Sequence, residues 1–359
     1  MSFKEPYVPA DVFYYIRTLA PETSWAFYDK FLKTRDKVLQ TFPQDCIKVT
    51  KALDNIFSSF DDVSQNTEKT ASLITAWHDG KNCFSTTSLV AYAISKLDPE
   101  NKLSAEQKDA MFVAGVLADI PNDLPYHNSL HYRKVLLHVI RMIVAHNYIF
   151  DGSENVLNLN SIVKLVIAAC IHDLGHQGSS NIIDRKYHMA MTEKRSFSMA
   201  EPYLKSAGLA DDILSDIRTM IITTDVSPFG DPISPVNQMR SAYEYHFGMG
   251  AEEDDLEFSD ELKPLIENDR LCLLCMMLHE ADIMNSAGIS YDMMRTESVA
   301  ISKEAGEDRA YPEDALLFLN KICKNVMLSD AASYLADANL DVILNTVMKD
   351  YKDGNKTYS

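Results

Sequence analysis

The run Ile162-Val163-Lys164-Leu165-Val166-Ile167-Ala168-Ala169-Cys170-Ile171 ends in two ionisable residues, His172-Asp173. Ten residues with a single charge and no Gly or Pro must lie inside a protein. That places an imidazole and a carboxylate at the edge of a buried segment, where desolvation costs several kcal/mol unless another charge compensates it. A divalent cation is the usual compensation, and His176, one helical turn further on, offers a third donor.

The rest of the chain reads as helical. Its 359 residues include 12 Gly and 13 Pro, about 7% of the chain against a usual sum of about 12%. Apolar residues recur at helical spacing over 8–40, 44–63, 84–97, 105–119 and 128–149, then over 191–206, 210–223, 236–247, 260–287, 312–327 and 329–347. Ser161 can cap the helix that delivers His172, and Gly175 can end it. No segment reads as a sheet, so the expected fold is all-α, a compact multi-helix bundle. Glu252-Glu253-Asp254-Asp255, flanked by Gly248 and Gly250, reads as an exposed acidic loop rather than a calcium site.

With 34 basic and 52 acidic residues the net charge is −18. A nucleic-acid polymer is excluded as partner, since phosphate backbones are bound by basic surfaces. A small phosphorylated substrate is compatible, because a metal supplies positive charge locally. Six scattered cysteines form no disulfide framework, and Cys272 and Cys275 sit in an apolar helix as buried thiols. No segment approaches the roughly 20 apolar residues of a membrane span. The polar start is no signal peptide, so a cytoplasmic location is expected, with export to another compartment or host as its alternative.

Three other places put ionisable groups where burial is expected. His127 and His131 lie one turn apart on a helical face, in Tyr126-His127-Asn128-Ser129-Leu130-His131. His138, two turns beyond His131, reads as a supporting or core residue rather than a ligand. Asp282 ends the apolar stretch Met277-Leu278-His279-Glu280-Ala281. Thr224-Asp225 sits at a helix end, where a cap or turn is the plain reading.

In order, His131, then His172-Asp173 41 residues on, then Asp282 109 residues after that, resemble the HD metal-dependent phosphohydrolases. The resemblance extends over residues 80–345 to the catalytic domain of the class I cyclic-nucleotide phosphodiesterases. Leu124-Pro125-Tyr126-His127-Asn128-Ser129-Leu130-His131 is similar to that family's first motif. His172-Asp173, His176, Gly178 and Asn181 match its second, Thr224-Asp225-Val226-Ser227 its third, and His279, Ala281-Asp282-Ile283 and Asn285 its last.

The resemblance implies a binuclear metal site. His131, His172, Asp173 and Asp282 would hold a first cation, zinc or iron. Asp173 would bridge to a second, magnesium or manganese, whose mostly aqueous shell is held by His176, Glu193 and Thr224. His127 would give a proton to the leaving oxygen, and a buried carboxylate such as Glu280 could keep it protonated. Asn285 and Phe318 would touch substrate. The implied activity is hydrolysis of a 3′,5′-cyclic nucleotide, cyclic AMP or cyclic GMP, to the 5′-monophosphate. Two alternatives stand beside it: a phosphohydrolase for another nucleotide or phosphate ester, and a catalytically weak nucleotide-sensing or partner-binding module.

The chain departs from the family in three places. Lys194-Arg195-Ser196 follows Glu193 where two histidines are usual. No glutamine occurs after Gln238, although the family grips the purine with one; Phe318 is either the stacking ring or a core phenylalanine, and Glu313, Asp314 or Asn320 could replace the amide. Finally, residues 1–75 do not resemble the family. They form an N-terminal helical extension on a catalytic domain of residues 76–359, its aromatics (Tyr14, Tyr15, Trp25, Phe27, Tyr28) packing on the core or, alternatively, offering a protein-partner or dimer surface.

Overall fold

The computed structural model describes residues 25–250, 258–354 and 357–358. Among these, helix follows helix: α1 Tyr28–Phe57, α2 Val63–His78, α3 Thr86–Leu97, α4 Ala105–Ala118, α5 Ser129–Ile149, α6 Leu159–Ile171, α7 Met191–Ser206, α8 Asp211–Ile222, α9 Pro235–His246, a single turn α10 Pro264–Glu267, α11 Asp269–Met284, α12 Tyr291–Glu304, α13 Pro312–Phe318 and α14 Asp330–Lys352. The described sheet is one two-stranded hairpin, β1 Ile182–Ile183 with β2 Lys186–Tyr187. The all-α expectation is met. Tyr14, Tyr15 and the acidic stretch 252–255 lie outside the described residues.

The apolar stripes converge on one continuous core, in which Phe31, Val49 and Ile74 of the first two helices are as fully buried as Leu165 of α6 or Leu274 of α11. Trp25 and Phe27 pack against this core from its edge. The α6 segment is encased by α4, α5, α8 and α11, which explains its almost uninterrupted apolar sequence. Its N-cap is Asn158, whose side chain accepts from the Ser161 amide at 2.9 Å. Ser161 itself lies one turn inside and is buried, so the expected cap moves three residues upstream. Gly175 takes φ +72°, and the turn after α6 closes there as expected.

Three further expectations are corrected. The sequence pattern separates 8–40 from 44–63, yet α1 runs unbroken across that gap and through Pro43. The buried residues Val38, Phe42, Cys46 and Val49 keep one face on the core across the proline, and that burial outweighs a lost backbone hydrogen bond. Pro43→Ala is therefore expected to stabilise the chain by about 1–3 kcal/mol, seen as a rise in the urea midpoint at unchanged slope. The expected helix 312–327 ends as α-helix at Phe318 and continues as a π-helical turn, Leu319–Cys323. Helix α12, lastly, was not expected at all.

Candidate metal and proton-transfer site

Three elements deliver the central donors. Asn128 caps α5, its Oδ1 accepting from Leu130 and His131 amides, and His131 follows in the first turn. His172 and Asp173 leave the end of α6. Asp282 sits in the last turn of α11. The His131 and His172 Nε2 atoms lie 3.1 Å apart. Asp173 Oδ2 is 3.2 Å from His131 Nε2 and 3.0 Å from His172 Nε2. Asp282 Oδ1 is 3.2 Å and 3.6 Å from the same two nitrogens.

These spacings suit a cation. Donors about 2.1 Å from a metal stand about 3.4 Å apart in a tetrahedron and about 3.0 Å apart in an octahedron. The tautomer agrees: His172 Nδ1 faces the Ala169 carbonyl at 3.1 Å, which can only accept, so the proton belongs on Nδ1 and the Nε2 lone pair is free. Burial acts to lower the His172 pKa, but Asp173 and Asp282 override it and hold it well above the usual value. Burial likewise opposes ionisation of Asp173 and Asp282, yet the imidazoles hold both well below the carboxylate range. Two carboxylates at this depth demand positive charge, and a divalent cation provides it without a proton shared between facing ring nitrogens. His131, His172 and Asp282 could hold a metal as they stand.

Beside this cluster lies a second one. Glu304, the last residue of α12, accepts the Tyr126 and His127 amides on Oε2, both at 3.0 Å. Its Oε1 receives His127 Nδ1–H at 2.5 Å, which leaves His127 Nε2 on the side of Asp173 Oδ2, 3.8 Å away. Burial tends to lower the His127 pKa, but Asp173 and Glu304 raise it on balance. Burial would raise Glu304, and its bond from His127 brings it down to about 2. His176 stacks on His127 with centroids 3.8 Å apart, and its Nδ1 stands 3.6 Å from Glu304. Burial first, then the neighbouring His127, push His176 down to about 4, opposite in direction to the ring it stacks on.

Glu304 is the residue the sequence did not reveal. Glu280, the expected partner of His127, instead accepts Leu328 N–H at 2.5 Å and the Ser329 amide and hydroxyl, closing the N-terminus of α14.

A third group forms around Glu193. Asn181 Nδ2 and Thr192 Oγ1 both donate to its Oε2 at 2.8 Å. Burial and then Asp225 push its pKa up to about 7. Asp225 accepts from the Tyr187 hydroxyl and the Ala190 amide, each at 2.8 Å, and so fixes the start of α7. Thr224 donates its hydroxyl to Ile221 O at 2.8 Å.

Of the two expected substrate contacts, Asn285 is buried and its Oδ1 is bonded to His138 at 2.7 Å. His138 is in turn bonded by Arg141 at 3.2 Å. Phe318 is half-buried against the core at the end of α13.

Comparison with known proteins agrees with this architecture. Residues 126–304, about half of the chain, match the family described as 3′5′-cyclic nucleotide phosphodiesterase. The fold is similar to the crystal structure of the phosphodiesterase domain of Salpingoeca rosetta rhodopsin phosphodiesterase, with a TM-score of 0.53 at 17% identity over 75% of this chain and 89% of that one. No curated protein matches. An all-helical hydrolase with His and Asp groups able to bind metal is thus defined. The chain belongs to the class I cyclic-nucleotide phosphodiesterases.

Proposed function

We propose that this phosphodiesterase cleaves cyclic AMP or cyclic GMP to the 5′-monophosphate. The reading is carried by one observation: His127 is bonded at Nδ1 by Glu304 and presents Nε2 beside the donor cluster. His131, His172, Asp173 and Asp282 would hold zinc or iron, and Asp173 would be shared with magnesium or manganese, with His176, Glu193 and Thr224 holding its water. Cations held there would supply an acidified water for attack on phosphorus and positive charge for the phosphate oxygens.

The chain's own residues do the rest. When the P–O3′ bond breaks, O3′ leaves with an electron pair and needs a proton. His127 Nε2–H gives it, and the Glu304 carboxylate steadies the imidazolium until then. The proton lost by the attacking water goes to solvent, and His127 is recharged from solvent. His176, stacked and neutral, keeps the ring in its plane.

Residues 76–359 act as the catalytic unit in this reading, with residues 1–75 as an extension on it, in a reducing, cytoplasmic setting. Among the described residues, no helix is long and apolar enough to cross a membrane, and all six cysteines are free. Protein supplied with zinc plus magnesium or manganese is expected to turn over cyclic AMP or cyclic GMP, and chelation is expected to abolish turnover. No turnover of either by the metal-loaded protein removes the substrate assignment.

A second reading rests on the segment 312–320, which contains no glutamine. A site without that amide discriminates bases differently. A panel of phosphoesters separates the two readings: preference for a non-cyclic ester selects the second.

A further inference from the structure

The segment before α1 lies in the part of the chain that does not resemble the family, yet it reaches the loop that carries His172, Asp173 and His176. Phe27 takes φ +62° and ψ +10°, a left-handed conformation that is a genuine outlier for a bulky residue. Such strain persists only where surrounding contacts impose it. Those contacts are present on both sides. The Trp25 ring lies edge-on to Tyr203 of α7 at 4.7 Å, and the Tyr203 hydroxyl donates to Ala26 O at 2.5 Å. The turn is closed by Tyr28 N–H to Trp25 O and Phe31 N–H to Phe27 O.

The tip of the Phe27 ring then meets Gly175. A methyl group placed on Gly175 would stand 2.9 Å from Phe27 Cζ and 2.9 Å from Met199 Cε and Sδ. Phe27 and Met199 therefore close over the one residue of the loop that has no side chain. Met199 and Tyr203 are one turn apart on α7, so a single helix face backs both the arm and the loop. Gly175 sits two residues from Asp173 and next to His176, the ring stacked on His127.

We propose that Phe27 is a positioning residue for the His172–His176 loop, and that Trp25–Phe27 is an arm whose docking sets cation affinity. This rests on the metal site proposed above. Groups that support ligands without touching the metal typically change affinity by about 10–100-fold when removed, and coupling between arm and site must be reciprocal.

Cation binding is read by calorimetric titration of zinc and of manganese into metal-free full-length protein. Phe27→Gly removes the ring and relieves the left-handed strain at once, so a loss there is not a strain artefact. Its affinity is expected to fall about tenfold, with kcat reduced at saturating metal and KM unchanged. Phe27→Leu, which refills the space, is expected to bind within about threefold of wild type. Phe27→Tyr, whose oxygen projects from Cζ toward Gly175, is expected to bind worse than Phe27→Leu; this order holds the test open if the glycine variant does not fold. Trp25 emission, taken as the difference between wild type and Trp25→Phe, is expected to shift on cation addition.

Affinity decides the matter. Phe27→Gly binding within twofold of wild type, at a temperature where it is folded, overturns the proposal, and a fall in melting temperature alone counts as packing only. If wild type itself binds no cation, the site reading fails and the inference falls with it.

Discussion

His127→Ala is expected to lower kcat by about 10²–10⁴-fold while cation binding stays near wild type. His127 is not among the four converging donors; its Nε2 is 3.8 Å from Asp173 Oδ2, close enough to serve a substrate oxygen there but outside bonding distance. Glu304→Gln is the more discriminating variant. The amide keeps a carbonyl oxygen for the Tyr126 and His127 amides but removes the charge that helps raise the His127 pKa. A lowered His127 pKa means that the protonated form is lost at lower pH, so the alkaline limb of the kcat profile is expected to move to lower pH. A His127→Ala enzyme with wild-type kcat, or a Glu304→Gln profile that does not move, contradicts the assigned role. The non-additivity of the pair is informative too: with His127 gone, Glu304→Gln should add little.

The residues of the donor cluster were legible because each sits in a short contiguous stretch beside or within an apolar helix. A buried carboxylate or imidazole in such a run is costly enough to stand out. Glu304 carried no such signal. It lies 177 residues from His127, and α12 buries little beyond Met293, Met294 and Glu297, too thin a stripe for periodicity to register. Glu280 looked suitable because it neighbours Asp282, but two residues on an α-helix turn about 200°. The face that points Asp282 at the imidazoles therefore points Glu280 at α14. The gap before residue 44 misled for the opposite reason, a local break overridden by the core contacts on either side of it. What the segment 312–320 does was also illegible, because an absent glutamine names no replacement.

The largest effect on stability is expected at Lys134. Its Nζ lies 2.7 Å from both carboxylate oxygens of Glu297, with both side chains almost wholly buried, and His78 Nε2 stands 3.6 Å from the same carboxylate. The trio joins α5, α2 and α12, and so anchors the helix that ends in Glu304. Removing Lys134 leaves the buried Glu297 with only the more exposed His78 opposite it: Lys134→Met is expected to cost about 3–5 kcal/mol, whereas Lys134→Met with Glu297→Leu should recover most of it. Acid does the same work gradually. Burial alone would raise the Glu297 pKa, but Lys134 and His78 bring it down to about 2. A depressed folded-state pKa means the contribution is present in full above the unfolded value near 4.5 and is lost as pH falls from there through about 2, a total on the order of 3 kcal/mol. Urea melts between pH 6 and pH 3 should show the larger part of this loss in wild type and a shallower one in the double variant. If the double variant is as unstable as Lys134→Met, or melts with the wild-type pH slope, the ion pair is not what holds α12 against α5.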